Sequence, residues 1–332
     1  MAGFEEIVGH RQIIEQLKRS IETGNVGHAY MFSGEKGSGK RTLADAWAMA
    51  LQCTSEGERP CGTCHSCKQA ASGNHPDIIY ISHEKPSSIG VEDVREQLVG
   101  DVQVRPYSGR YKIYIIPEAE KMTVQAQNAI LKTIEEPPAY AVIILLTSND
   151  QYFLDTIRSR CVIMKIKPVE DSVVKKYLME HVQVPDYQAD ICVAFAQGNV
   201  GKAVRLASSE DFNTIKEAAM QLIKNAGNME ISEIINEVKR VQDFKISISD
   251  YLDILALWYR DMVYFKATRD ADGIVFKDQI RNIRAAVKVC SYEGAEEVMK
   301  AIEKAKTRLN ANVNFDLTME LLFLVIKENM HD

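Results

Sequence analysis

Proline is missing from the last part of this chain. All nine prolines of the 332 residues lie at or before Pro185. Glycine thins out too: beyond Gly201 only Gly227, Gly273 and Gly294 remain. So little turn punctuation excludes a loop-rich or all-β C-terminal part and predicts helices there. No apolar run reaches the roughly 18 residues of a membrane-spanning helix. The opening residues, Met1 to Glu6, lack the basic and apolar regions of a secretory leader. Both absences imply a cytoplasmic protein with no membrane partner. An excess of basic charge is lacking as well: 40 Lys and Arg face 46 Asp and Glu, for a net charge of −6. That excludes a protein coated in positive charge, although a local basic groove is compatible with it.

What is present is ordinary globular composition, with 46 % hydrophobic and 26 % charged residues. The length predicts about two or three domains. The first part alternates helix and strand signals: helix 11–23, strand 28–33, helix 41–52, strand 77–82, helix 91–100, strand 111–116, helix 124–135, strand 141–147 and strand 161–165. Runs such as Ile113-Tyr114-Ile115-Ile116 and Val142 to Leu146 suit parallel strands covered on both faces. The alternation implies an α/β fold with a doubly wound parallel sheet. Short helical signals follow from about Pro168 to Ser208. Further on, Tyr251, Ile254, Leu255, Trp258, Met262 and Phe265 recur at helical steps, and a second helix runs through Leu317, Leu321 and Leu324.

Strand Tyr30-Met31-Phe32 runs into Gly34-Glu35-Lys36-Gly37-Ser38-Gly39-Lys40 and then a helix. This is a P-loop through its lysine, in the strand–loop–helix setting the motif requires. Gly34, Gly37 and Gly39 let backbone N–H groups wrap a phosphate, and Lys40 would reach it. The plain alternative is a glycine-rich turn with a solvated lysine. The hydroxyl expected next for Mg²⁺ is absent: Arg41 stands there, and Thr42 is displaced by one residue, about 100° around the helix. The second nucleotide motif is damaged too. Strand Ile113–Ile116 ends in Pro117-Glu118, so Glu118 holds the water-activating position without an acidic metal ligand before it. Losing both metal anchors predicts strongly suppressed hydrolysis, with ATP or ADP bound weakly or not at all.

Cys53, Cys61, Cys64 and Cys67 cluster in one short stretch. Four thiols in a reducing compartment, three at two-residue spacing, suit a structural tetrahedral Zn²⁺. Unrelated cysteines and an iron–sulfur cluster are the alternatives, and His65 could replace one ligand. Cys161, Cys192 and Cys290 read as isolated small hydrophobes. Arg158 and Arg160 precede the strand Val162-Ile163-Met164, where an arginine could reach a neighbouring subunit's nucleotide or simply lie in water. Arg105, Arg110 and Lys112, beside Tyr107 and Tyr111, read as a solvated basic loop, with DNA-backbone contact as the alternative.

Together, Gly34 to Lys40, the cysteine cluster after the first P-loop helix, Asn128-Ala129-Ile130-Leu131-Lys132-Thr133-Ile134-Glu135-Glu136-Pro137-Pro138 and Ser159-Arg160-Cys161 resemble the bacterial DNA polymerase III clamp-loader family of AAA+ ATPases. The resemblance implies an AAA+ domain over 1–166 with a zinc module at 53–67, a helical lid over 167–210 and an all-helical collar over 211–332. It places Val8, Gly9 and His28 near any adenine, and Thr147-Ser148-Asn149 at the first sensor. The second-sensor arginine of the motor branch falls at Gly201, with Lys202 adjacent but pointed elsewhere. Damage at Arg41, Pro117 and Gly201 beside an intact Ser-Arg-Cys motif favours the delta-prime branch over the ATP-hydrolysing tau/gamma branch. That branch implies a chain without its own ATPase activity. It would sit in a five-subunit ring with tau/gamma and delta and donate Arg160, with Arg158 as runner-up, to a neighbour's ATP site. The complex would load a sliding clamp onto primer–template DNA. An active tau/gamma-type ATPase and a zinc adaptor unconnected to replication are the competing readings.

Overall fold

Apolar runs bounded by turns become five parallel strands of one sheet: β1 Ala29–Ser33, β2 Ile78–Tyr80, β3 Lys112–Ile116, β4 Ala141–Thr147 and β5 Val162–Lys165. The structure, a computed structural model, describes residues 3–83, 85, 87–243, 248–311 and 313–330. The strand order is β2-β3-β4-β1-β5. Tyr30 lies opposite Ile144 on one side and Val162 on the other. Every residue of β1, β3 and β4 is buried, as a sheet covered on both faces requires. Helices α1 (Arg11–Glu22) and α2 (Lys40–Gln52) cover one face, where Leu17, Leu43 and Trp47 meet Phe32, Ile113 and Ile144. On the other face lie α4 (Val91–Val94), its π-helical continuation Arg95–Val99, and α5 (Val124–Glu135). Leu98, Ile130 and Ile134 pack there against Met31, Tyr114 and Leu145.

The expected helix 124–135 and strand 141–147 have the bounds the periodicity predicts. Strand 77–82 shortens to Ile78–Tyr80, although Asp77 O and Ile81 N still bond to Ile113 and Ile115 of β3. Between α2 and β2 lies an unexpected helix, α3 (His65–Ala71), and a short α6 (Asp155–Arg158) precedes β5.

The sheet unit comprises residues 1–174 and 197–202, and a second unit comprises 175–196 and 203–332. The stretch 167–210 contributes to both. Among its described residues the second unit holds helices and no strand. Its α12 (Ile248–Thr268) buries Tyr251, Ile254, Leu255, Trp258, Met262 and Phe265, the residues whose spacing announced it. Its α15 (Phe315–Asn329) turns a different face inward. Leu317 and Leu321 are 54 % and 41 % exposed, whereas Met319, Leu322, Phe323 and Ile326 are buried. No helix of the described residues is long and apolar enough to cross a membrane.

Candidate functional site

The loop Gly34–Gly39 leaves β1 and enters α2, as a phosphate loop should. Gly37 adopts φ +88°, a conformation that suits glycine. The carbonyls of this loop, however, are taken by the chain itself. Lys40 turns its Nζ back onto Gly34 O and onto Glu35 O, at 2.7 Å for the latter. Asn199, buried, donates from Nδ2 to Lys36 O at 2.9 Å, and its Oδ1 accepts from Lys202 N at 3.0 Å. Gly201 N donates to Gly37 O at 2.9 Å. A Cβ on Gly201 would lie 2.5 Å from Gly37 O, so only glycine allows this approach. Burial holds the Lys40 ammonium below the usual lysine pKa, against the pull of Glu120 and Glu35.

The predicted nucleotide residues separate accordingly. Gly34, Gly37, Gly39 and Lys40 share the loop, while Thr42 is exposed on α2. Arg41 leans over the Tyr80 ring, 5.1 Å from its centroid, and lies 4.0 Å from Asp45. Glu118 is exposed and pairs with Lys121 at 2.7 Å, which with burial opposing holds its carboxyl below the usual range. The acids that act on Lys40 are Glu120 and Glu35; Glu120 accepts from Ser148 Oγ at 2.7 Å. Glu120 was missed because the chain doubles back through a 3-10 turn at Ala119–Lys121. Thr147 Oγ1 donates to Asn149 O at 3.0 Å, closing the strand end. Gly9 packs on Val169, where a Cβ would lie 2.8 Å away. The neighbouring His10 interacts with the Ser38 backbone, and burial keeps its imidazole below the usual pKa.

The cysteine cluster assembles at the end of α2. One ligand atom each from Cys53, Cys61, Cys64 and Cys67 lies within 4.8 Å of all the others. Tetrahedral thiolates around zinc sit about 3.8 Å apart, from a metal–sulfur length of about 2.3 Å, and Cys61 Sγ and Cys67 Sγ are 4.0 Å apart. Backbone N–H groups already point at the sulfurs: Cys61 N at Cys53, Cys64 N at Cys61 and Cys67 N at Cys64, each at 3.4 Å. Donation from Cys64 N and the Thr63 hydroxyl pulls the Cys61 thiol down to about 5. Burial pushes the Cys67 thiol up. The donor set and its spacing fit a metal ion, and His65 stays exposed outside the four. Of the other cysteines, Cys192 and Cys290 are buried and Cys161 is half-buried.

From the cluster a hydrogen-bond chain runs into the sheet. Ser66 Oγ and His75 Nε2 are 2.9 Å apart, and Asp77 N donates to His75 Nδ1 at 3.1 Å. That leaves the imidazole proton on Nε2. The buried Asp77 carboxylate accepts from the amides of Tyr107, Ser108 and Gly109 at 2.6–2.8 Å. The loop so held carries Tyr107, 88 % exposed, and Arg110, stacked over Tyr111. Lys112 does not join a basic surface there. It is buried and pairs with Asp101 at 2.8 Å, because it opens a central strand.

Arg160 sits just before β5, the edge strand beside β1. It is exposed, with Nη2 3.1 Å from Glu135 Oε1 and Nη1 donating to Thr156 O at 3.0 Å. Arg158 pairs instead with Asp155 at 3.1 Å and Asp150 at 3.7 Å.

Comparison with known proteins matches residues 9–170 to the family described as DNA polymerase III, delta subunit. The chain is 30 % identical over 330 residues to DNA polymerase III subunit delta' of Bacillus subtilis, covering 96 % of each chain. The chain belongs to the DNA polymerase III delta' family. The family's relatives are visible as well. DNA polymerase III subunit tau of B. subtilis is 27 % identical over 83 % of this chain, and subunit tau/gamma of Haemophilus influenzae is 34 % identical over 61 % of it. The chain spans 53 % and 30 % of those two longer proteins. A delta' family member thus carries a P-loop whose carbonyls its own residues occupy.

Proposed function

We propose that this chain is a non-hydrolysing subunit of a DNA polymerase III clamp loader, which supplies Arg160 to the ATP site of a neighbouring motor subunit. The observation that carries the reading is a contrast within the sheet unit. Arg41, in the place of the metal-binding hydroxyl, lies over the Tyr80 ring and 4.0 Å from Asp45. Arg160 stands exposed at the sheet edge. Family membership supports the setting, since B. subtilis delta' matches along nearly its whole length. In this reading the chain joins tau/gamma and delta in a five-subunit ring, and the ring loads a sliding clamp on primer–template DNA. Residues 167–210 act as a lid and 211–332 as the ring-forming collar. Cys53, Cys61, Cys64 and Cys67 hold a structural zinc ion, whose four protein ligands leave no position for chemistry. A tau/gamma-type ATPase would need metal ligands where Arg41 and Pro117 stand.

The test is steady-state ATP turnover. The isolated chain should be inactive, and the complex reconstituted with tau/gamma and delta should be active. Arg160→Ala should leave this chain folded and lower the turnover of the complex by about tenfold or more, at the low end of what trans arginines supply. Robust DNA-stimulated turnover by the isolated chain would refute the reading, as would a complex indifferent to Arg160.

A further inference from the structure

Helix α5 ends on Glu135, and Glu136 caps it. Both carboxylates are exposed, so packing does not require them. They stand where the last helix carbonyls concentrate negative charge, the unfavourable end for an acid. A compensating contact exists at Glu135, whose Oε1 lies 3.1 Å from Arg160 Nη2. On the other terminal nitrogen, Arg160 Nη1 donates to Thr156 O, one turn back in its own segment. The same nitrogen reaches Ser159 Oγ at 3.5 Å, so the guanidinium is held by Glu135 on one side and by its own segment on the other. It carries five N–H donors in one plane, and these contacts, on Nη1 and on one side of Nη2, leave Nε and the second Nη2 proton to an incoming anion. The side chain is 41 % exposed. Arg158, 34 % exposed, is tied to the two carboxylates of Asp150 and Asp155 and so is committed to its own chain.

We propose that Glu135 is the positioning residue of Arg160. It fixes the plane of the guanidinium so that the open edge faces a polyphosphate oxygen presented by a neighbouring subunit. This rests on the trans-arginine reading above. An exposed ion pair contributes little to stability, so the role of Glu135 lies in orientation, where a small misplacement of a charged group is felt in rate.

The experiment uses the reconstituted complex and the full-length free chain. In the complex, kcat and KM for ATP are measured for wild type, Arg160→Ala, Glu135→Gln, Glu135→Asp and the double variant Glu135→Gln/Arg160→Ala. Glu135→Gln should lower kcat about three- to tenfold with KM held within about twofold, as lost orientation does. Glu135→Asp should recover part of the loss, and the double variant should match Arg160→Ala alone. In the free chain, the Arg160 Nε–H resonance should report an ordered side chain in wild type and a mobile one in Glu135→Gln. If Arg160→Ala lowers turnover while Glu135→Gln does not, the positioning role falls and the trans-arginine reading stands. Additive losses in the double variant, or equal Arg160 mobility in both free chains, also overturn it. A complex indifferent to Arg160→Ala overturns both.

Discussion

The amide of Gly201 donates to the carbonyl oxygen of Gly37 at 2.9 Å, and no side chain fits between them. Here the glycine lets the second stretch of the sheet unit close onto the phosphate loop.

A methyl group at Gly201 would meet Gly37 O at 2.5 Å and Gly37 Cα at 3.0 Å. Gly201→Ala should therefore destabilise the sheet unit by about 1–3 kcal/mol, the usual range for overpacking. Denaturant unfolding monitored within residues 1–174 checks this. Gly201→Arg should destabilise further and gain no ATP binding by calorimetry. A variant with wild-type stability would contradict the close approach.

Lys40 donates to Gly34 O and Glu35 O. In a working P-loop the same lysine cradles the β- and γ-phosphates. If this chain hydrolyses no ATP, as proposed, Lys40→Ala should change ATP turnover of the reconstituted complex by less than about twofold. The equivalent change in a motor subunit of the same complex provides the contrast. A tenfold loss from Lys40→Ala would reverse the reading of this loop.

Metal analysis of the native chain should give about one zinc per molecule, as a four-thiolate site does. Stripping it with a chelator should first expose the amides of residues 61–71 to hydrogen exchange. Loosening should then pass through Ser66 and His75 to the loop held by Asp77. Cys67→Ser, at a buried ligand, should reproduce the effect. Native protein without metal, or chelation that leaves these amides protected, would count against the assignment.

Burial alone would raise the Asp77 carboxyl, but the amides of Tyr107, Ser108 and Gly109 outweigh it and hold the group below its ordinary 3.8. A depressed folded value stabilises the protein fully above the unfolded pKa, and that stability is lost as pH falls through the folded one. Asp77→Ala should cost about 1–3 kcal/mol at pH 7, the penalty for buried donors left unpaired. The gap between wild type and variant should narrow on acidification below about pH 4. Urea unfolding from pH 7 to pH 3 measures it, and a gap independent of pH would exclude the carboxylate's role.

Much of the sheet was legible in advance because its signals are local. The helix and strand at 124–135 and 141–147 follow from side-chain period alone. Helix α3 was not legible. Its N-cap is Cys64, whose sulfur accepts from Cys67 N, so the usual Ser, Thr, Asp or Asn signal is missing. Lys112 misled because a lysine reads as surface, whereas this one finds Asp101 and two loop carbonyls and is buried. On α15 the spacing of Leu317 and Leu321 announced a helix but not its inward face, since a leucine can stand exposed as well as buried.

What the sequence by itself determined is the set of parts: a glycine-rich loop ending in lysine, four clustered cysteines, Arg41 and Pro117 where metal ligands were expected, and an arginine before a strand. Each is written in neighbouring residues, where backbone geometry and ligand spacing act directly. Only the tertiary structure decided which part faces which. Asn199 meets Lys36 across 163 positions of chain. Glu135 reaches Arg160 from helix α5, and Glu120 from a turn beyond β3, with Glu35, acts on Lys40. Such pairings exist only once the parallel strands are in register, because the sheet brings distant turns to the same edge. Local spacing carries no record of that register.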